Sequence, residues 1–240
     1  MVVQTRGAGR PEEAVLDRAL IVDTAYQLLR ELGVEDLTMA RLARELGVKT
    51  PSLYNHVASK AALLNDVRGR VVAQIDTSVF DSQPWDRALR HWAQSYVAAF
   101  ATLHPSSAAS IAVLPMEAEP ATMRMYDRVS RNLLASGWPA QELLPILVAV
   151  ESFVVGSVLD IRAPDSYMAP RGDGAEPFYR RVFDARPANR AAVSVDVGLN
   201  ALIAGLSQRY ADLGLHPSAS RAVHDEGPAP GAPKSGSRKG

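Results

Sequence analysis

Two helical segments too short to stand alone, set on either side of Gly47, place the tightest limit on how this chain can fold. The first opens at Thr38, a residue type that caps helix N-termini. Leu37 before it and Leu42 after it are spaced as a hydrophobic staple, and the segment closes at Gly47. The second opens at Thr50 as N-cap with Pro51 at the first helical position, where the missing N–H costs nothing. It runs on through Ser52, Leu53, Tyr54, Asn55 and His56. Neither segment buries enough to persist in water by itself. Both need a third helix behind them, and the chain offers one: from Glu12 onward Leu16, Ala19, Leu20, Tyr26, Leu29 and Leu32 recur at helical spacing, with Gly33 as the stop and Glu12 and Glu13 at the positive end. In such a unit Ala43 lets the two short helices cross closely, Gly47 takes a positive φ at the turn, and Leu53 fills the core. Ser52, Tyr54, Asn55 and His56 then face outward, donating, accepting and stacking as a reader of a DNA groove must. The plainer alternative is that Tyr54 and His56 pack against the next helix.

The rest of the chain continues in helices. Ser59 is placed to cap a fourth, carrying Leu63, Leu64, Val67, Val71, Val72 and Ile75 toward about Ser78. Beyond Pro84 the pattern predicts helices near 85–103, 106–113, 119–136, 140–162 and 191–213, with a short one at 178–184 after a Pro-, Gly- and Asp-rich loop. No convincing strand and no internal repeat is found, so the fold class is all-α: an N-terminal three-helix helix-turn-helix domain followed by a helical ligand-binding and dimerisation domain. The expected divisions are a flexible basic arm at 1–13, the helix-turn-helix with its linking helix at 14–78, the larger domain at 79–215, and a disordered Pro-, Gly- and Ser-rich tail at 216–240.

Composition narrows the chemistry. With no cysteine among 240 residues, disulfides, thiolate metal sites and thiol nucleophiles are excluded together, which fits a cytoplasmic location. No signal-peptide pattern opens the chain, and the longest apolar run, Leu143 to Leu159, is interrupted by Pro145 and Glu151. A buried helix and no membrane partner is the expectation. Net charge is zero, but between Leu37 and Arg70 six basic residues face only Glu45 and Asp66. The five histidines lack metal-ligand spacing, and no phosphate loop or nucleophile motif appears, so neither an enzyme nor a metal or cofactor site is expected. A small helical enzyme and a helical protein-interaction module are the alternatives; neither requires the polar face from Ser52 to His56.

The stretch from Leu37 to Val57, followed by Ser59-Lys60, strongly resembles the TetR family of repressors, and a weaker resemblance to tetracycline-repressor-like C-terminal domains runs from about Trp85 to Asp160. The resemblance implies a ligand-responsive regulator that binds double-stranded operator DNA as a homodimer. It implies that Thr50, Pro51, Ser52, Tyr54, Asn55 and His56 face bases and backbone, that Lys60 and Thr38 meet phosphates, and that Arg10 lies in a basic arm. It also implies a dimer interface from residues 140–162 and 191–213, with Gly156, Ser157, Gly198, Ala201 and Gly205 permitting close approach.

For the ligand domain the expectation is a metal-independent pocket for a small organic effector, walled by Trp92, Tyr96, Met123 and Tyr126 and anchored by Ser110 and Asp160. Here the chain departs from the tetracycline repressors. Ser110 stands where the resemblance implies a magnesium-ligating imidazole, and Asp76, Trp92 and Tyr96 replace a histidine, an asparagine and a phenylalanine at drug-contacting positions. One remaining carboxylate, Asp160, is poor provision for a hard divalent cation. Glu151, inside an apolar stretch, faces either the pocket or the dimer interface.

Overall fold

The computed structural model describes residues 16–115, 120–164, 166–171 and 176–216, and within these all regular structure is helical. In chain order the helices are α1 (Arg18–Glu31), α2 (Met39–Glu45), α3 (Thr50–Leu53), α4 (Lys60–Val72), a 3-10 turn (Ser78–Asp81), α5 (Trp85–Phe100), α6 (Pro105–Ala112), α7 (Pro120–Ala135), α8 (Ala140–Arg162), α9 (Pro177–Asp184) and α10 (Arg190–Asp212). The expected arm with Arg10, the acids Glu12 and Glu13, and all of the tail beyond His216 lie outside the described residues.

α1 starts later than the apolar pattern suggests, because Asp17 takes the cap and its side chain accepts the N–H of Leu20 at 2.8 Å. Its buried face, Ile21, Ala25, Leu28 and Leu29, packs on α2 and α4. Gly33 serves a different purpose from the predicted stop. Leu32 leaves the helix in extended conformation, and a Cβ on Gly33 would meet Glu35 Oε2 at 2.7 Å and Ser106 Oγ at 2.8 Å, so a larger residue there would have to displace those side chains. Gly47 behaves as expected: at φ 68° it closes α2, its N–H reaching Arg44 O at 3.2 Å and the Val48 N–H reaching Ala43 O at 2.9 Å.

α4 is the element on which the fold turns. It packs on α1 at one side and on α5, α6 and α7 at the other, and Leu63, Val67 and Val71 are completely buried. It ends at Val72, short of the predicted Ser78. The Asp76 backbone N–H is drawn to Ser95 Oγ at 3.0 Å, while the Asp76 carboxylate accepts from the Ser78 N–H at 2.8 Å, pulling the chain into the 3-10 turn. Those Ser78 hydrogen bonds, and then His91, hold the Asp76 carboxyl down at about 2.

The long α8 packs on α5, α6, α7 and α10. By length and composition alone α8 and α10 could each cross a membrane, but α8 buries Leu143, Ile146, Leu147, Val150, Val154 and Val158 inside the bundle. Pro145 is tolerated within α8 because it lies in the second turn on the exposed side, where the carbonyl it leaves without a donor can meet water.

Candidate nucleic-acid interface and effector chamber

α2 and α3 carry the surface that the sequence singles out. Thr38 caps α2, accepting the Arg41 N–H at 3.1 Å, and stays exposed at the helix N-terminus. α3 differs by one residue from the expected cap: Lys49 holds the N-cap position without a side-chain hydrogen bond, Thr50 is the first helical residue and Pro51 the second. Leu53 and Val57 are buried beneath them, with the His56 and Val57 N–H groups bonded to Leu53 O at 2.9 and 3.0 Å. With that face fixed, Pro51, Asn55 and Tyr54 (50% exposed) point to solvent, while Thr50, Ser52 and His56 are half-buried beside them. Tyr54 therefore does not pack into the interior.

Lys60 is not a free cation at the start of α4. Its Nζ donates to the carbonyl of Val34 at 2.9 Å, tying the α1–α2 loop to α4. A second tie escapes sequence reasoning altogether. From α6 and the residue before it, the His104 N–H donates to Leu29 O at 3.0 Å, Ser107 Oγ to Leu32 O at 3.0 Å, and Ser106 Oγ accepts the Val34 N–H at 3.3 Å. These bonds join segments more than 70 positions apart, which no local pattern can signal.

Behind α4, a half-buried carboxylate stands among aromatic rings. Glu151 on α8 accepts hydrogen bonds on one carboxylate oxygen from Tyr96 Oη on α5, at 3.2 Å, and from Tyr126 Oη on α7. Burial pushes the Glu151 carboxyl above the usual carboxylate range, only partly countered by the Tyr96 hydrogen bond and the charge of Arg68. Burial likewise pushes the Tyr96 phenol up, reinforced by the neighbouring carboxylate. Trp92 packs against Tyr96 with ring centroids 5.6 Å apart, and its indole N–H is buried with no hydrogen-bond partner among the described residues. Arg68, buried on α4, donates to Leu114 O at 2.6 Å and Pro115 O at 3.0 Å, fastening the segment after α6. Glu151, half-buried, thus faces α5 and α7.

Of the predicted pocket residues, Trp92, Tyr96 and Tyr126 come together and two do not. Met123 is 52% exposed, because the buried face of α7 runs through Thr122, Met125, Val129 and Leu133 and the next residue on is turned roughly 100° away. Asp160 lies nine residues beyond Glu151, roughly 13 Å further along α8. Its carboxylate is held by Arg190 Nη1, 2.7 Å from both oxygens, and by Tyr167 Oη at 2.7 Å. Burial pushes that carboxyl up, but the hydrogen bonds from Tyr167 and Arg190 outweigh it and hold the group below its usual range. Asp160 is a tie between α8 and α10. Ser110 is half-buried on α6.

Residues 21–67, which span α1 to most of α4, match the family model of bacterial regulatory proteins, tetR family. The chain is similar to TetR-family regulators. The likeness extends past that segment: the chain is 29% identical over 196 residues to the tetracycline repressor protein class A from transposon 1721 of Escherichia coli, covering 79% of this chain and 89% of that protein. Among solved structures it is similar to TetR from Acinetobacter baumannii AYE, at 27% identity and a TM-score of 0.63, covering 81% of this chain and 98% of the other. A possible TetR family transcriptional regulator from Streptomyces coelicolor A3(2) aligns at 25% identity and a TM-score of 0.70, over 80% of this chain and all of that one. The N-terminal helix-turn-helix and helical C-terminal bundle of this chain share the arrangement of those proteins.

Proposed function

We propose that this ligand-responsive, DNA-binding regulator is a cytoplasmic repressor that docks on its operator as a homodimer and leaves it when a small organic effector enters the Glu151 chamber. The observation that carries the reading is the pairing of a polar, outward α3 with a buried, chargeable chamber on the far side of α4. α4 packs on α1 at one side and on α5 and α7 at the other.

Dimerisation rests on α8 and α10. Leu144 (69% exposed), Val148 and Val197 (64% exposed) form apolar surface on two 23-residue helices, which a second copy would cover. A homodimer also presents two α3 helices, and half-sites on one DNA face lie about 34–36 Å apart, so a small pivot of α4 disengages one of them. Thr38, Thr50, Pro51, Ser52, Tyr54, Asn55 and His56 are the proposed DNA contacts, with Lys60 and the arm residue Arg10 on phosphates. The reading assigns residues 14–78 to DNA and 79–215 to effector and dimer.

In the chamber the polar anchor is Glu151 rather than Asp160, with Trp92, Tyr96 and Tyr126 as walls. An effector bearing a hydroxyl or amine donor would replace a tyrosine hydroxyl on Glu151, and Arg68 would pass the displacement to α4. A magnesium-tetracycline chelate is a poor occupant, since Asp160 is already held by Arg190 and a divalent cation needs several oxygen or nitrogen ligands together. The test is selection and sequencing of DNA retained by the purified protein, then a gel shift on the recovered sequence. Failure to retain any preferred sequence would overturn the reading, and release of operator by micromolar tetracycline with magnesium, reversed by a chelator, would overturn the effector assignment.

A further inference from the structure

A cavity separate from the Glu151 cluster opens between the end of α4, the 3-10 turn, the start of α5 and the outer side of α7. Its volume is about 1060 Å³, at the upper end of the range of roughly 300–1,000 Å³ typical of small-molecule sites. The floor is apolar and preformed. Trp85 packs edge-on to Trp138 at 5.2 Å and against Tyr210 at 5.4 Å, and the Tyr210 hydroxyl is already tied to the carbonyl of Ser136, so the ring stands as a fixed wall. Phe80 and Met125 complete it.

The rim is cationic. Arg124, Arg128 and Arg131 recur on α7 at intervals of four and three, which places all three on one helix face, and all three line the cavity. Against them the lining offers one acid, Asp81, and it is already bound by Arg128. Arg131 is paired along its own helix with Asp127, at 2.7 Å. Arg124 has no hydrogen bond or ion pair among the described residues, and it is exposed. A chain of zero net charge therefore gathers three guanidinium groups above an aromatic floor, with one of them unengaged.

We propose that this cleft binds an amphipathic organic anion, its carboxylate or similar acid group on Arg124 and its apolar body along Trp85, Phe80 and Met125. The charge decides between this cleft and the chamber. Tyr126 lies two residues from both Arg124 and Arg128, so it points roughly 200° around α7 into the other site, where the anchor is a carboxyl that repels an anion. A guanidinium binds a carboxylate with a charge-assisted hydrogen bond, shorter and stronger than a neutral one. The exposed apolar residues Leu144, Val148 and Val197 of α8 and α10 are not part of the lining.

The test is calorimetric titration of the full chain with decanoate, decanol and decylamine. Decanoate binds saturably and more tightly than decanol, and decylamine does not bind at the same site. Arg124→Glu weakens decanoate by about tenfold or more, the loss expected for one contact to a charged group. Arg124→Lys keeps most of the affinity, and Glu151→Gln leaves it unchanged. Because Arg124 is exposed and unengaged, these variants keep the fold, which circular dichroism checks. Equal decanoate affinity in Arg124→Glu, equal binding of the uncharged alcohol, loss of decanoate binding in Glu151→Gln, or no saturable binding at all would each overturn the proposal.

Discussion

α2 and α3 turn their polar side chains outward over Leu42, Ala43 and Leu53, whereas α5, α7 and α8 turn Tyr96, Tyr126 and Glu151 inward onto one another. The two regions hold polar groups for opposite reasons. On the outer surface, water satisfies Asn55 and Tyr54 until another partner replaces it, so their display costs nothing in the folded chain. Inside, burial makes an unpartnered polar atom costly, and the half-buried Glu151 is bonded by tyrosine hydroxyls and lies near the charge of Arg68. The outer surface is built to meet a partner without rearranging. On the proposed reading, an effector entering the inner region would have to displace one of these hydrogen bonds. α4 packs on α1, α5, α6 and α7, with Lys60 tying it to the α1–α2 loop and Arg68 to the segment after α6.

That contrast can be broken most severely at the outer surface. Tyr54→Ala and Asn55→Ala are each expected to erase operator preference by about 1–3 kcal/mol while leaving thermal stability unchanged, because both side chains are exposed. Competition gel shifts against random DNA decide it, and equal loss on both DNAs would remove these residues from base readout. Arg68→Met strikes the link. It leaves the carbonyls of Leu114 and Pro115 without their donor, costing about 1–3 kcal/mol in urea unfolding, and it should leave DNA affinity within a few-fold while abolishing effector-driven release.

Inside the chamber the expected effect is one of pH. Burial raises the Glu151 carboxyl in the folded chain above its unfolded value, about 4.3, so the stability it contributes is complete below that value and is lost as pH rises through the folded one. Glu151→Gln removes the titration. The variant should melt higher than the parent at about pH 7 and together with it near pH 4, and a difference that grew toward acid would reverse the assignment. The smallest change sharpens the outer surface: Lys60→Ala should weaken all DNA sequences alike and lower the salt slope by about one. Its additional loss of the Val34 tie predicts a slightly lower melting temperature, unlike the Tyr54 and Asn55 variants.

Local chemistry was enough for the reading head and for most helix limits. Thr38, Gly47 and Ser59 act where capping and turn rules put them, since a cap depends on atoms three or four positions away, and α8 spans the range its pattern indicates. The exceptions are places where distant atoms compete. Ser95 and Ser78 end α4 early, and Ser106 makes Gly33 a matter of space rather than of φ. For the chamber, composition and resemblance marked Trp92, Tyr96 and Tyr126, because aromatic residues on amphipathic helices announce burial. Sequence alone left Glu151 undecided between pocket and interface, and gave Asp160 a role that Arg190 already occupies. The choice between those carboxylates depends on which residues of other helices stand opposite each one, a relation set by helix crossing and packing. Sequence determined which side of each helix is polar or apolar, through the period of the backbone; only tertiary structure decided which polar side chains share a buried space, because burial makes partners of residues that the chain keeps far apart.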